Sequence, residues 1–95
     1  MDLELTGEVV YWRGPAPFHF VPVPEAQADA IAEVAPRVTY GWGVIPVTAH
    51  LGATTWTTSL FPKDGGYLVP VKTAVRRAER LDLGDVVTVL LTLDV

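Results

Sequence analysis

Lys72, Arg76 and Arg80 recur at every fourth residue, and Arg77 stands beside them. On a helix that spacing lines three cations along one side. Ammonium and guanidinium groups gathered in this way can hold a carboxylate, a phosphate or an acidic partner. The competing account is a solvated outer face, the default for a small amphipathic helix, with Glu79 and nearby acids compensating. Trp12, Trp42 and Trp56, with Tyr11, Tyr40 and Tyr67, supply a second resource. Such rings either line a pocket for a flat ligand or fill a small core with their polar tips at its rim. Trp42, set between Gly41 and Gly43, is the ring least suited to core duty. The expected ligand-binding set is therefore Lys72, Arg76, Arg77 and Arg80, with Trp12, Trp42 or Trp56 nearby.

The remaining chemistry is thin. His19 and His50 fall in strand-like runs without any partner at metal-ligand spacing, so both read as structural and no metal is expected. Ser59 is the only serine and sits outside a nucleophile elbow, and nothing in the spacing supports a Ser59–His50–acid triad. Asp82 and Asp85 flank Gly84, where glycine relieves a strained turn and aspartate can accept backbone amide hydrogen bonds. Gly41-Trp42-Gly43 and Gly65-Gly66 are too short for a phosphate-binding or dinucleotide fingerprint. The chain has no cysteine, which removes disulfides, thiolate metal sites and thiol nucleophiles together. Neither catalytic residues nor a cofactor are expected.

Composition narrows the partners. Ninety-five residues, 49% of them hydrophobic, suit one globular domain spanning 1–95. A net charge of −4 argues against the phosphate attraction that dominates nucleic-acid affinity. Five of the seven basic residues nevertheless lie between Lys63 and Arg80, which leaves room for a local basic face. Met1-Asp2-Leu3-Glu4 is acidic where a secretory leader would be basic, and no run reaches the ~18 apolar residues of a membrane span. The expectation is a soluble cytoplasmic protein, a monomer or weak homo-oligomer, meeting a small anionic ligand or an acidic protein partner. A weak oligomer would set the basic helix against the acidic stripe Glu25, Asp29 and Glu33 of a neighbour.

Elements that could position these residues follow from one doubled tripeptide. Val21-Pro22-Val23 returns as Val69-Pro70-Val71, each copy closing a strand-like run and leading into a helix-like one. Leu5 to Trp12 likewise resembles His50 to Thr57 in the placing of a glycine and an aromatic. Two pseudo-repeats, 3–51 and 52–95, are the simplest account. In the first, Leu3 to Arg13 alternates as a strand, Gly14-Pro15-Ala16-Pro17 breaks it, and Phe18 to Val23 forms a second strand. A helix opens at Pro24-Glu25 with Ala26, Ala30, Ile31 and Val34 inward and ends at Pro36, and Val44 to Leu51 is a third strand. In the second, Thr54 to Leu60 and Tyr67 to Val71 flank a turn at Pro62 to Gly66. Lys72 to Arg80 follows as a helix with Ala74, Val75, Ala78 and Leu81 inward, and Val86 to Leu93 closes the chain. The predicted fold is mainly β with two short helices. Strand–strand–helix–strand occurs twice, interlocked into a small closed barrel with the helices capping it.

Several of these runs resemble a known family. Trp56-Thr57-Thr58-Ser59-Leu60-Phe61-Pro62, Gly65 to Lys72, Val75-Arg76-Arg77-Ala78-Glu79 and Leu83-Gly84-Asp85 with Val87 look like the signature of the bacterial DUF1905 domain. Trp12, Phe18-His19-Phe20-Val21 and Pro24 extend the likeness into the first half. The family is uncharacterised, so the resemblance implies a fold and not an activity. That fold is a double-split β-barrel similar to the AbrB-type DNA-binding regulators, in which two short chains supply the halves. Those regulators display basic residues on both copies, whereas the first helix here is acidic. The resulting expectation is a non-enzymatic module binding a small ligand or a protein. An AbrB-like nucleic-acid-binding regulator is the alternative.

Overall fold

Short apolar runs of period two, cut by glycine and proline, build a strand-rich chain with little helix. The computed structural model describes residues 1–13, 17–38 and 44–94, the side chains of Pro17 and Phe18 excepted. In order, the elements are β1 (Asp2–Glu8), β2 (Val10–Arg13), β3 (Pro17–Pro22), α1 (Glu25–Val38), β4 (Ile45–Leu51), β5 (Thr54–Lys63), β6 (Gly66–Val71), α2 (Thr73–Glu79) and β7 (Val86–Thr92). The expected first strand is thus two strands. At Val9 the backbone leaves its ladder: the Val9 N–H donates to the Asp85 carbonyl at 2.8 Å, and the Val9 carbonyl accepts from the Gly84 N–H at 2.9 Å.

All neighbouring strands run antiparallel in the order β1-β7-β4-β5-β6-β3-β2. The sheet is an open half-barrel, which corrects the expectation of a closed one. Its two edges, β1 and β2, are consecutive in the chain and diverge at Val9, so covalent chain joins them where a ladder would have closed the barrel. β5, the central strand, joins the two halves of the sheet, with Thr54–Leu60 against β4 and Phe61–Lys63 against β6. The doubled tripeptides lie side by side, Val21 opposite Val69. On the β1 edge, Asp2, Glu4 and Glu8 are exposed, and acidic side chains there discourage pairing with another chain.

Alternation fills the concave side with Leu5, Val21, Ile45, Val47, Ala49, Leu60, Val69, Val89 and Leu91, all buried. Among the described residues no polar or charged side chain is buried with them. α1 lies over this layer. The Pro24 carbonyl accepts the first helical bond from the Ala28 N–H at 2.8 Å, and Gln27 Nε2 donates to the Glu4 carbonyl on β1. Its inward stripe is Ala28, Ile31 and Val34, not the expected set beginning at Ala26, which is exposed. The helix also runs two residues past Pro36. A proline so close to the C-terminal end forfeits one ladder bond, and packing of Ile31 and Val34 outweighs it.

α2 is half as long, 7 residues against 14. Only Val75 is buried on it; Ala74 and Ala78 are exposed and Leu81 is half-buried, so the expected four-residue apolar face is narrower. Lys72 precedes this helix as its cap and Arg80 follows it in the left-handed region at φ 53. Between β5 and β6 the turn is Asp64-Gly65 alone, with φ 51 and 78. Positive φ at both positions is the geometry of a type I′ hairpin, which these two residue types favour.

Candidate ligand groove and adjoining arginine hollow

Because α2 is short, the end of the sheet built by β2, β3, β5 and β6 stays uncovered. A groove of about 650 Å³ opens there, inside the range of roughly 300–1,000 Å³ usual for small-ligand sites. Tyr11 and Phe61 stand at its edge as exposed aromatics, and Phe20, Pro70 and Val71 supply further apolar wall. His19, Thr58, Ser59, Lys72, Thr73 and Arg76 add the polar groups. Ladder register explains the convergence. His19 sits opposite both Tyr11 on β2 and Val71 on β6, and Val71 leads directly into Lys72 and α2.

Arg76 dominates the electrostatics. Its Nε–H is buried and has no hydrogen-bond partner among the described residues. An N–H left in that condition costs about 1–3 kcal/mol. Glu79, the acid nearest in sequence, does not relieve it: its Oε2 accepts from Thr54 Oγ1 on β5 at 2.6 Å. Among the described residues Glu79 therefore does not supply Arg76 Nε with the compensating contact that the solvated-face account supposes. Lys72 Nζ donates to the Thr57 carbonyl at 2.8 Å, which anchors the amine at the groove and leaves two of its three N–H donors over. His19 meets Tyr11 edge to face, ring centroids 5.2 Å apart. Burial pushes its pKa below the ordinary 6.5, and the Arg76 charge adds to the effect, so a neutral imidazole faces the guanidinium.

A second hollow of about 430 Å³ is lined by Thr73, Arg76, Arg77, Arg80, Leu81 and Asp82. It shares Thr73 and Arg76 with the groove, so the two adjoin along α2.

The expected site residues divide accordingly. Lys72 and Arg76 line the groove; Arg77 and Arg80, with Arg76 again, line the hollow. Trp12 lines neither but backs the groove wall, packed against Phe20 and Phe61, with Lys63 Nζ 4.7 Å from its ring centre. Trp56 is buried and its indole N–H donates to the Pro70 carbonyl, so it belongs to the core. Trp42 falls outside the described residues. His19, Ser59, Phe61 and Thr73 were not expected in a site, and Tyr11 only as one of six rings able to line a pocket. The one signal for His19 is its place two residues before the first tripeptide, whose pairing with the second brings it to the root of α2. Ser59 and His50 do not meet. Ser59 is opposite Pro46, His50 lies four residues further along β4, roughly 13 Å away at ~3.3 Å per residue, and His50 Nδ1 is engaged with Thr55 Oγ1. Among the described residues no helix is long and apolar enough to cross a membrane.

The sequence profile of one family, a domain of unknown function designated DUF1905, matches residues 6–91. No curated protein matches the chain.

Proposed function

The chain belongs to the DUF1905 family, and from that premise we propose that it is a non-enzymatic binding module whose groove takes a small anion carrying a flat apolar body. The observation that carries this reading is Arg76, a guanidinium with a buried, unpaired Nε–H on the wall of a groove edged by aromatic rings. An oxygen anion docked there accepts from that N–H after a small turn of the side chain. It also gains the free donors of Lys72 and the hydroxyls of Ser59 and Thr73. Tyr11 and Phe61 offer faces against which a ring can stack.

The test is a chemical-shift titration with phenyl phosphate and benzoate. Shifts should concentrate at Tyr11, His19, Thr58, Lys72 and Arg76. Arg76→Ala should weaken binding about 10- to 100-fold, the worth of a charge-assisted hydrogen bond, and Arg76→Lys should recover part of it. An unaltered affinity in Arg76→Ala, or no shifts in the native protein, rejects the reading.

The alternative, an AbrB-like regulator that binds nucleic acid, requires cations spread along a phosphate track. Four of the seven cations, Lys72, Arg76, Arg77 and Arg80, gather around α2 instead, while Asp2, Glu4 and Glu8 on β1 and Glu25, Asp29 and Glu33 on α1 face solvent. A salt-sensitive DNA shift that disappears in Arg76→Glu/Arg77→Glu would restore that alternative. The pairing pattern supports the related idea of two homologous halves: exchanging β1–β2 with β5, β3 with β6 and β4 with β7 maps every ladder onto another or onto itself.

A further inference from the structure

The hollow beside the groove has a feature that helix electrostatics does not explain. Cations in the last turn of a helix complement its dipole, which accounts for Arg76 and Arg77. Arg80 lies beyond that turn. Its N–H bonds to the Arg77 carbonyl at 3.4 Å, and the Leu81 N–H bonds to the Arg76 carbonyl at 2.9 Å. These two bonds form a Schellman ending, whose left-handed position normally goes to glycine because other residues are strained there. Here it holds an arginine at φ 53. The result is three guanidiniums around one small hollow against a single carboxylate, Asp82. Asp85, the other acid of the adjoining turn, is committed to the Asp82 N–H at 2.8 Å. Like charges crowded at helical spacing repel, and nothing among the described residues offsets all three.

We infer that this hollow is a second anion subsite continuous with the groove, so that the ligand has a flat apolar body and two linked phosphates, the chemical class of a nucleoside diphosphate. This rests on the reading of the groove given above. The first phosphate sits at the junction, on Arg76 and Thr73, the two residues common to both cavities. The second reaches Arg77 and Arg80, whose forked donors suit phosphate oxygens. The base or other ring lies in the groove against Tyr11 and Phe61.

Calorimetric titrations with ADP and UDP, set against AMP and UMP at one low ionic strength, test this. The diphosphates should bind about fivefold to tenfold tighter than the monophosphates, a modest gain because Arg77 and Arg80 are exposed to solvent. Arg80→Gly should erase that gain while leaving the monophosphates unaffected. Glycine suits the left-handed position, so the variant folds at least as well as the native chain. Arg77→Gln should act in the same direction. Equal binding of mono- and diphosphates, or a gain that survives Arg80→Gly, overturns the second subsite and leaves the groove reading standing. Failure of the monophosphates and of phenyl phosphate alike overturns the groove reading itself. Inorganic pyrophosphate binding as tightly as ADP would overturn the inferred two-part ligand. Displacement of ADP by a single-stranded oligonucleotide at far lower concentration would do the same in favour of a nucleic-acid site.

Discussion

His19 is the residue through which solvent pH reaches the groove. Its half-buried imidazole is costly to charge, and Arg76 makes a second positive charge less welcome, so its pKa lies below the ordinary 6.5. Between that lowered value and 6.5 the unfolded chain holds more protons at this position than the folded one. The stability that neutral His19 contributes is therefore complete above about pH 6.5 and is lost as pH falls through the folded pKa. Proton NMR should show the His19 ring titrating below the ordinary histidine range. Arg76→Ala should raise the midpoint only partway, because burial is the larger cause. A midpoint indifferent to Arg76→Ala would contradict this geometry. An anion in the groove acts with the opposite sign: benzoate, whose own charge does not change near about pH 6, should raise the midpoint and bind more tightly as pH is lowered.

Between single residues and the whole fold, the turns decide whether the elements meet in register. Gly84 adopts φ +88, and a Cβ built there would find only Glu8 Oε1, 3.8 Å away. Space is available, so the penalty for substitution is purely conformational. Gly84→Val should cost about 1–3 kcal/mol, and Gly84→Asn much less, since asparagine tolerates positive φ. Thermal melts would read the first as a loss of about 4–8 °C per kcal/mol in a domain of this size; equal melting temperatures would refute the argument. This turn and the Asp64-Gly65 hairpin were legible in the sequence because glycine chemistry is local, and so was the order of strands and helices apart from the break at Val9 that makes the first strand two. The helix faces were read less well. Alanines recur in both helices and carry little signal as to which side is buried, so Ala26, Ala74 and Ala78 were placed inward although they are exposed. In the site, Lys72 and Arg76 were visible as cations, but their partners were not. His19, Tyr11 and Ser59 join them only through the register of β2, β3, β5 and β6, which no local pattern encodes.

At the scale of the whole molecule the telling place is the seam where β1 passes the end of β3. Sequence periodicity implied closure because an unpaired edge is a liability, yet the sheet stops at β1 and β2 and the chain crosses between them at Val9. Close packing replaces the missing ladder. A Cβ on Gly7 would lie 2.9 Å from the Pro22 carbonyl oxygen and 2.9 Å from Val21 Cγ1, so only glycine lets the strands approach this closely. The carbonyl belongs to the backbone and cannot turn aside. Gly7→Ala should therefore push β1 off β3 and cost about 1–3 kcal/mol, as overpacking does. Gly66→Ala is the control, since a Cβ there meets nothing nearer than the Lys63 carbonyl oxygen at 3.7 Å. Amide hydrogen exchange locates the damage. The Val9 N–H, bonded to Asp85 at the end of the β1–β7 ladder beside the seam, should exchange faster in Gly7→Ala by a larger factor than Ala49 in the centre of the sheet. Equal acceleration at both amides would mean that the half-barrel opens only as a unit, and that the seam has no independence from the core.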